Sequence, residues 1–128
     1  MGAMIAHIVL LRPREDLSAA ETTGFLDVLE RSLRDIPCIR RARVGRRVRL
    51  GHGYEQLMRA DFPFAAVLEF DDLAGLEAYL AHPAHEELGA RLFAAAGDVL
   101  IYDFEMGSGG EEVRGLVEER GGRPDSDG

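Results

Sequence analysis

The stretch MIAHIVLL, residues 4–11, is apolar on both of its alternating faces. Ile5, His7, Val9 and Leu11 fall on one side of a strand, and Met4, Ala6, Ile8 and Leu10 on the other. Two later segments share the property. FPFAAVLEF, residues 62–70, sets Phe64, Ala66, Leu68 and Phe70 against Ala65, Val67 and Glu69, and DVLIYDFEM, residues 98–106, sets Val99 and Ile101 against Leu100, Tyr102 and Phe104. A sheet built from such strands needs cover on both sides, because large apolar sheet faces are rarely left in water. Helices of the same chain cover one face, and a second copy of the chain is the simplest cover for the other.

The helices are legible between the strands. LSAAETTGFLDVLERSLRDIP opens with the S-x-x-E capping box of Ser18 and Glu21, repeats Phe25, Leu29, Leu33 and Ile36 at helical spacing, and stops at Pro37. CIRRARVGRRVRL alternates weakly and reads as a strand bent at Gly45. Asp71 and Asp72 cap LAGLEAYLA, whose Leu73, Leu76 and Leu80 are expected to face the core. Pro83 starts a further helix, PAHEELGARLFAAA, which Gly97 is expected to end. The order β-α-β-β-α-β predicts an α+β, ferredoxin-like sandwich with one antiparallel sheet. Residues 4–106 form the domain. Residues 107–128 carry seven glycines and few apolar anchors, so they read as a flexible tail in which EEVRGLVEER is at most a short helix.

Charge and cysteine content exclude other classes. The net charge of −8 disfavours general phosphate binding, although Arg40, Arg41, Arg43, Arg46, Arg47 and Arg49 cluster without an acid among them. That cluster reads as a charged strand that resists edge-to-edge pairing, with an anion site as the other reading. Cys38 is the sole cysteine, which points to a reducing, cytoplasmic setting and leaves no zinc-type ligand set. No apolar run reaches the roughly 20 residues of a membrane span. The opening MGAMIA has Ala6 where a myristoylation signal carries Ser or Thr, and it has no signal-peptide layout. Neither nucleic acid, membrane, metal nor cofactor is expected.

YLAHPAHEELG, residues 79–89, holds the chemistry. Proline pushes the preceding residue out of the α region, so His82 leaves one helix while Pro83 begins the next. His82 and His85 are then not on one continuous helical face, which removes the alignment that H-x-x-H metal ligands require. A bend at Pro83 is expected to bring Tyr79 and His85 into one cavity with His7 near its wall, while His82 faces outward. The other readings stay open: Tyr79 as a core plug, His7 as a satisfied core histidine, and His85 as a structural hydrogen-bonding group. His52, between Gly51 and Gly53, is expected in water.

HIVLL, AVLEFDDLAGLEAYLAHPAH and VLIYDFE together resemble the stress-responsive dimeric α/β-barrel (Dabb) family, over roughly residues 4–105. The most specific element is Y-x-x-H-P-x-H. The resemblance implies a dimer whose two sheets close into an α+β barrel, with a cavity between sheet and helices in each protomer for a small aromatic or polyketide-like molecule. The family includes a plant polyketide cyclase, whose motif maps Tyr79 and His85 to catalysis and His7 to the ligand. Phe64 and Phe70 would complete the ligand-binding wall. Phe64 stands where that cyclase carries a further histidine, and Asp61-Phe62-Pro63 replaces the family's usual Gly-Tyr-Asp. The implied roles are ligand binding, cofactor-independent cyclase or isomerase chemistry by a His/Tyr pair, or a non-catalytic stress-protective interaction. The related barrel fold also hosts small monooxygenases.

Overall fold

The computed structural model describes residues 3–122; Met1, Gly2 and the last six residues of the tail lie outside the described residues. Strand β1 (Ile5–Pro13) leads to helix α1 (Ala19–Asp35), strand β2 (Arg41–Arg46), the short helix α2 (Gly53–Leu57) and strand β3 (Phe64–Phe70). Helices α3 (Leu73–Ala81) and α4 (Pro83–Ala95), strand β4 (Ala96–Glu105) and helix α5 (Gly110–Gly122) follow. The four strands form one antiparallel sheet in the order β2-β3-β1-β4, an α+β ferredoxin-like arrangement.

Local chemistry accounts for these boundaries. The capping box at α1 is complete: the Glu21 N–H donates to Ser18 Oγ at 3.0 Å, and the Ser18 N–H donates to Glu21 Oε1 at 2.9 Å. The N-terminus of α3 is capped by Asp72, which accepts from the Gly75 N–H at 2.9 Å. His82 ends α3 and caps α4, its Nδ1 accepting from the Ala84 N–H at 3.0 Å. The dipeptide that breaks the helix thus also satisfies the first free amide of the next one.

Register assigns the faces. His7 pairs with Leu68 on one side and Asp103 on the other, and Ile5, Val9 and Leu11 share its face, which is the face under the helices. Ile8 pairs with Val67 and Tyr102 on the opposite face, beside Ala6 and Phe104, and Leu10 with Leu100. Nothing within the described chain covers that second face: Tyr102 is 56% exposed and Phe104 48%.

The solid core sits at one end of the helix-covered face, where Ile5, Ile36, Leu68, Phe70, Leu76 and Tyr79 pack together. Four details depart from the sequence expectations. The core side of α3 is Leu76 and Tyr79; Leu80 lines the cavity beside them, while Leu73 is largely exposed, because the helix is rotated toward Phe70. Helix α4 ends at Ala95, and Gly97 lies within β4; a side chain there would crowd the Arg12 and Pro13 carbonyls at 3.2 Å. Strand β2 is confined to Arg41–Arg46 and runs in unbroken register through Gly45. Residues 53–57 form α2, held by Glu55, which accepts from the Leu50 and Gly51 N–H groups, with Gly51 at φ +83°.

Helix α5 occupies part of the stretch whose composition predicts a flexible tail. Its Val113 and Val117 point largely into water, so packing on the sheet does not explain it. Local contacts do: the Ser108 hydroxyl donates to Glu112 Oε1, and Arg114 pairs with Glu118 one turn on.

Phe70 is fully buried, so Phe70→Ala is expected to lower unfolding free energy by about 3–5 kcal/mol. Leu73→Ala should change it by about 0.5 kcal/mol or less. Urea titration of both variants checks the pair. A large loss at Leu73 would contradict the orientation of α3.

Candidate active site

Above the sheet, beyond the solid core, the helices stand away from the strands and leave a cavity of about 460 Å³. Its floor is His7, Val9, Leu11, Phe64, Ala66, Leu68 and Ile101; its roof comes from α1 through Phe25, Leu29 and Leu33 and from α4 through His85, Leu88 and Leu92. The shape follows from how α1 is held. Its C-terminal end is anchored in the core by Leu33 and Ile36, whereas its first turns face the open space. The apolar stripe that predicts a packed helix is thus half core and half cavity wall.

Tyr79 stands at the junction, belonging to both the core cluster and the cavity lining. Its ring meets His85 edge-on at a centroid distance of 4.6 Å, His7 at 5.5 Å and Phe70 at 5.2 Å. The break at Pro83 permits this: Tyr79 sits in the last turn of α3 and His85 in the first turn of α4, so two side chains six positions apart converge. His82 lies outside the cluster, engaged in its cap. Phe64 lines the cavity. Phe70, expected in the ligand wall, instead lies behind Tyr79, where α3 covers the end of β3; a side chain at Gly75 would approach the Phe70 Cβ at 3.3 Å.

One partner escaped the sequence reasoning. Asp103, directly across from His7 in the β1–β4 register, holds His7 Nδ1 at 2.6 Å. His7 is buried and the Asp103 side chain is 41% exposed. A carboxylate accepts only, so Nδ1 carries the proton and the ring's lone pair is on Nε2, the arrangement of an oriented general base. The available signal was the acid itself, which interrupts VLIYDFE on the face shared with Ile101.

Electrostatics separate the groups. Burial pushes the Tyr79 phenol up to about 12, with smaller contributions from Cys38 and Asp103, so it stays protonated and can donate. His85 is lowered from 6.5, first by burial and then by the charge His7 acquires on protonation; the Leu80 backbone and Glu86 oppose this. Its place in the first turn of α4 acts in the same downward direction. No arginine, lysine, aspartate or glutamate among the described residues lines the cavity. Among the described residues no group of three or more His, Cys, Asp or Glu side chains is placed to hold a metal ion, and no helix is long and apolar enough to cross a membrane.

A histidine whose folded pKa lies below its unfolded value binds fewer protons in the native state. Its contribution to stability is present above the unfolded value near 6.5 and is lost as pH falls through the folded value. NMR titration should therefore place His85 below 6.5, and His85→Gln should reduce the drop in Tm seen on acidification from neutral pH. An unshifted His85, with an unchanged acid slope in the variant, would contradict the geometry.

No curated protein sequence matches the chain. Among solved structures it is similar to a dimeric ferredoxin-like protein of unknown function from Thermobifida fusca, at 24% identity and TM-score 0.64, over 83% of this chain and 93% of that one. It is similar to a Dabb family protein from Mesorhizobium loti, at 22% identity and TM-score 0.65, over 84% and 99%. The hydroxynitrile lyase from Passiflora edulis shares the fold at 18% identity and TM-score 0.69, over 86% and 99%. Residues 5–106 match the model of the Stress responsive A/B Barrel Domain, and the chain belongs to that family, Dabb.

Proposed function

We propose that the chain is a homodimer whose cavity takes a small, neutral, mostly apolar molecule bearing a carbonyl or hydroxyl oxygen and acts on it by acid–base chemistry through its own side chains. The observation that carries this reading is the convergence of His7, Tyr79 and His85 at one end of an otherwise apolar space. The volume is within the roughly 300–1,000 Å³ of small-molecule sites. A ligand's apolar body would lie along Leu11, Phe25, Leu29 and Leu92, with its oxygen at the polar end. A dimer serving only as a scaffold would need that space filled.

In this reading His7, aimed by Asp103, removes a proton, and Asp103 stabilises the imidazolium that forms. Tyr79 donates to the oxygen on which negative charge develops. His85, neutral near pH 7, accepts or relays a proton beside Tyr79. Abstraction of a proton alpha to a carbonyl, as in aldol ring closure or isomerisation, uses these roles. So does cleavage beside a hydroxyl, and a protein of this fold is a hydroxynitrile lyase. Phe64 widens the apolar wall at the position where the sequence resemblance leads one to look for a further polar group.

The dimer is proposed from the uncovered sheet face. Leu10, Leu100, Tyr102 and Phe104 form an apolar surface continuous across β1 and β4, and proteins of this fold are described as dimeric. Light scattering at micromolar concentration should give about twice 14.1 kDa. A folded monomer there would remove this part of the proposal.

For the chemistry, the protein is incubated in D2O with acetophenone, and loss of the methyl proton signal is followed by NMR. Wild type should accelerate exchange over heat-denatured protein, and His7→Gln should lose at least about a hundredfold of that acceleration. Tyr79→Phe should also slow it while acetophenone still binds. Binding without any acceleration in the wild type would leave a carrier rather than an enzyme.

A further inference from the structure

Three glycines stand inside the helices that cover the sheet, Gly24 in α1, Gly75 in α3 and Gly89 in α4. Glycine weakens a helix interior, so each position needs a reason for having no side chain. At Gly24 a Cβ would meet the Arg91 guanidinium at 2.9 Å, and at Gly75 the Phe70 Cβ at 3.3 Å. At Gly89 it would meet nothing within 4 Å. The backbone gives no reason either, because Gly89 has no positive φ and sits at the middle of an ordinary α-helix. What Gly89 does border is the cavity, on the roof one turn beyond His85.

We infer that Gly89 sets how wide a ligand the cavity accepts: its missing side chain leaves a notch beside His85 that takes a ring or a branched group carried on the ligand's carbonyl carbon. The inference rests on the function proposed above and narrows its ligand class. With the ligand's oxygen held beside Tyr79 and the histidines, the atoms past the carbonyl lie along the next turn of α4, about 6 Å on, which is the turn of Gly89. Leu88 and Leu92 beside it carry full side chains, so the roof steps back at Gly89. A straight alkyl chain would leave that step empty, and an empty space forfeits contacts with the atoms around it. Water is poorly held there, because Leu88 and Leu92 offer it no hydrogen bond. A flat ring or a branched carbon fills it. Leu80 and Phe93 line the same cavity and are also exposed to solvent, which gives it an apolar rim through which such a group can enter.

The test uses the full chain, Gly89→Ala and Gly89→Leu, with two ketones as probes: acetophenone, whose ring is wide, and 2-heptanone, whose chain is slim. Binding is read by calorimetry and folding by Tm. Because alanine removes the helix cost without meeting a neighbour, Gly89→Ala should raise Tm by about 2–6 °C. Its acetophenone affinity should fall about threefold or more, and that of Gly89→Leu at least about tenfold, while 2-heptanone affinity changes less than about twofold in both. A more stable protein that binds the wide ketone more weakly is a result that no structural need for the glycine gives. A lower Tm for Gly89→Ala, or acetophenone bound by both variants as tightly as by wild type, overturns the inference and leaves the proposed function standing. Equal losses for the two ketones also overturn it, since the notch would then not discriminate width. A wild type that binds neither ketone removes the proposed function itself, and the inference with it.

Discussion

Tyr79 marks where the solid core ends and the cavity begins, and the rest of the site depends on that boundary. On its inner side Phe70, Leu76, Ile36 and Leu68 pack together as a buried cluster. On its outer side His7 and His85 line a volume the chain does not fill. A smaller residue at this position would join cavity to core and loosen both. A residue without the hydroxyl would preserve the packing and remove the phenol donor held at the junction. The ring contacts to Phe70, His7 and His85 orient the phenol from three directions, so its position is set by packing before any ligand arrives.

That position depends in turn on Pro83. An unbroken helix through residues 73–95 would carry His85 well over a turn beyond Tyr79 and rotate it to another face. The proline stops α3 at Ala81, and His82 turns the chain, capping α4 with its own ring. His82 is therefore a structural member of a motif whose outer two members line the cavity, and one short segment does both jobs without a dedicated loop.

Much of the fold was legible in the sequence because its signals are local. Strand alternation, the Ser18–Glu21 box, the Asp72 cap and the Pro83 restart each act within a few residues, and the element order follows from them. What stayed hidden needed long-range register or volume. The pairing of Asp103 with His7 spans 96 positions and is visible only once β1 and β4 are known to be neighbours. The stripe of Phe25, Leu29 and Leu33 reads equally well as core or as cavity wall, because periodicity reports which face is inward and not how far the opposing wall stands. Leu73 turns outward for a related reason. In an all-round apolar helix such as LAGLEAYLA, spacing does not choose the face, and the contact with Phe70 does.

In the proposed site the two histidines are not equivalent, and their difference follows from what stands behind each. His7 has a carboxylate at hydrogen-bonding distance. His85 has burial and His7 against its protonation. A positive charge on His7 would hold His85 more firmly neutral. In the proposed reading a cluster that charged both rings would draw in anions and water, which a neutral His85 avoids. The wall agrees with this, since it presents no permanent charge to a ligand. An anionic ligand would lose its hydration without finding a cation in return, whereas a neutral ketone or alcohol loses little and meets Tyr79 and the histidines at its oxygen. In the proposed reading, selectivity for neutral molecules comes from the same residues that leave the wall uncharged.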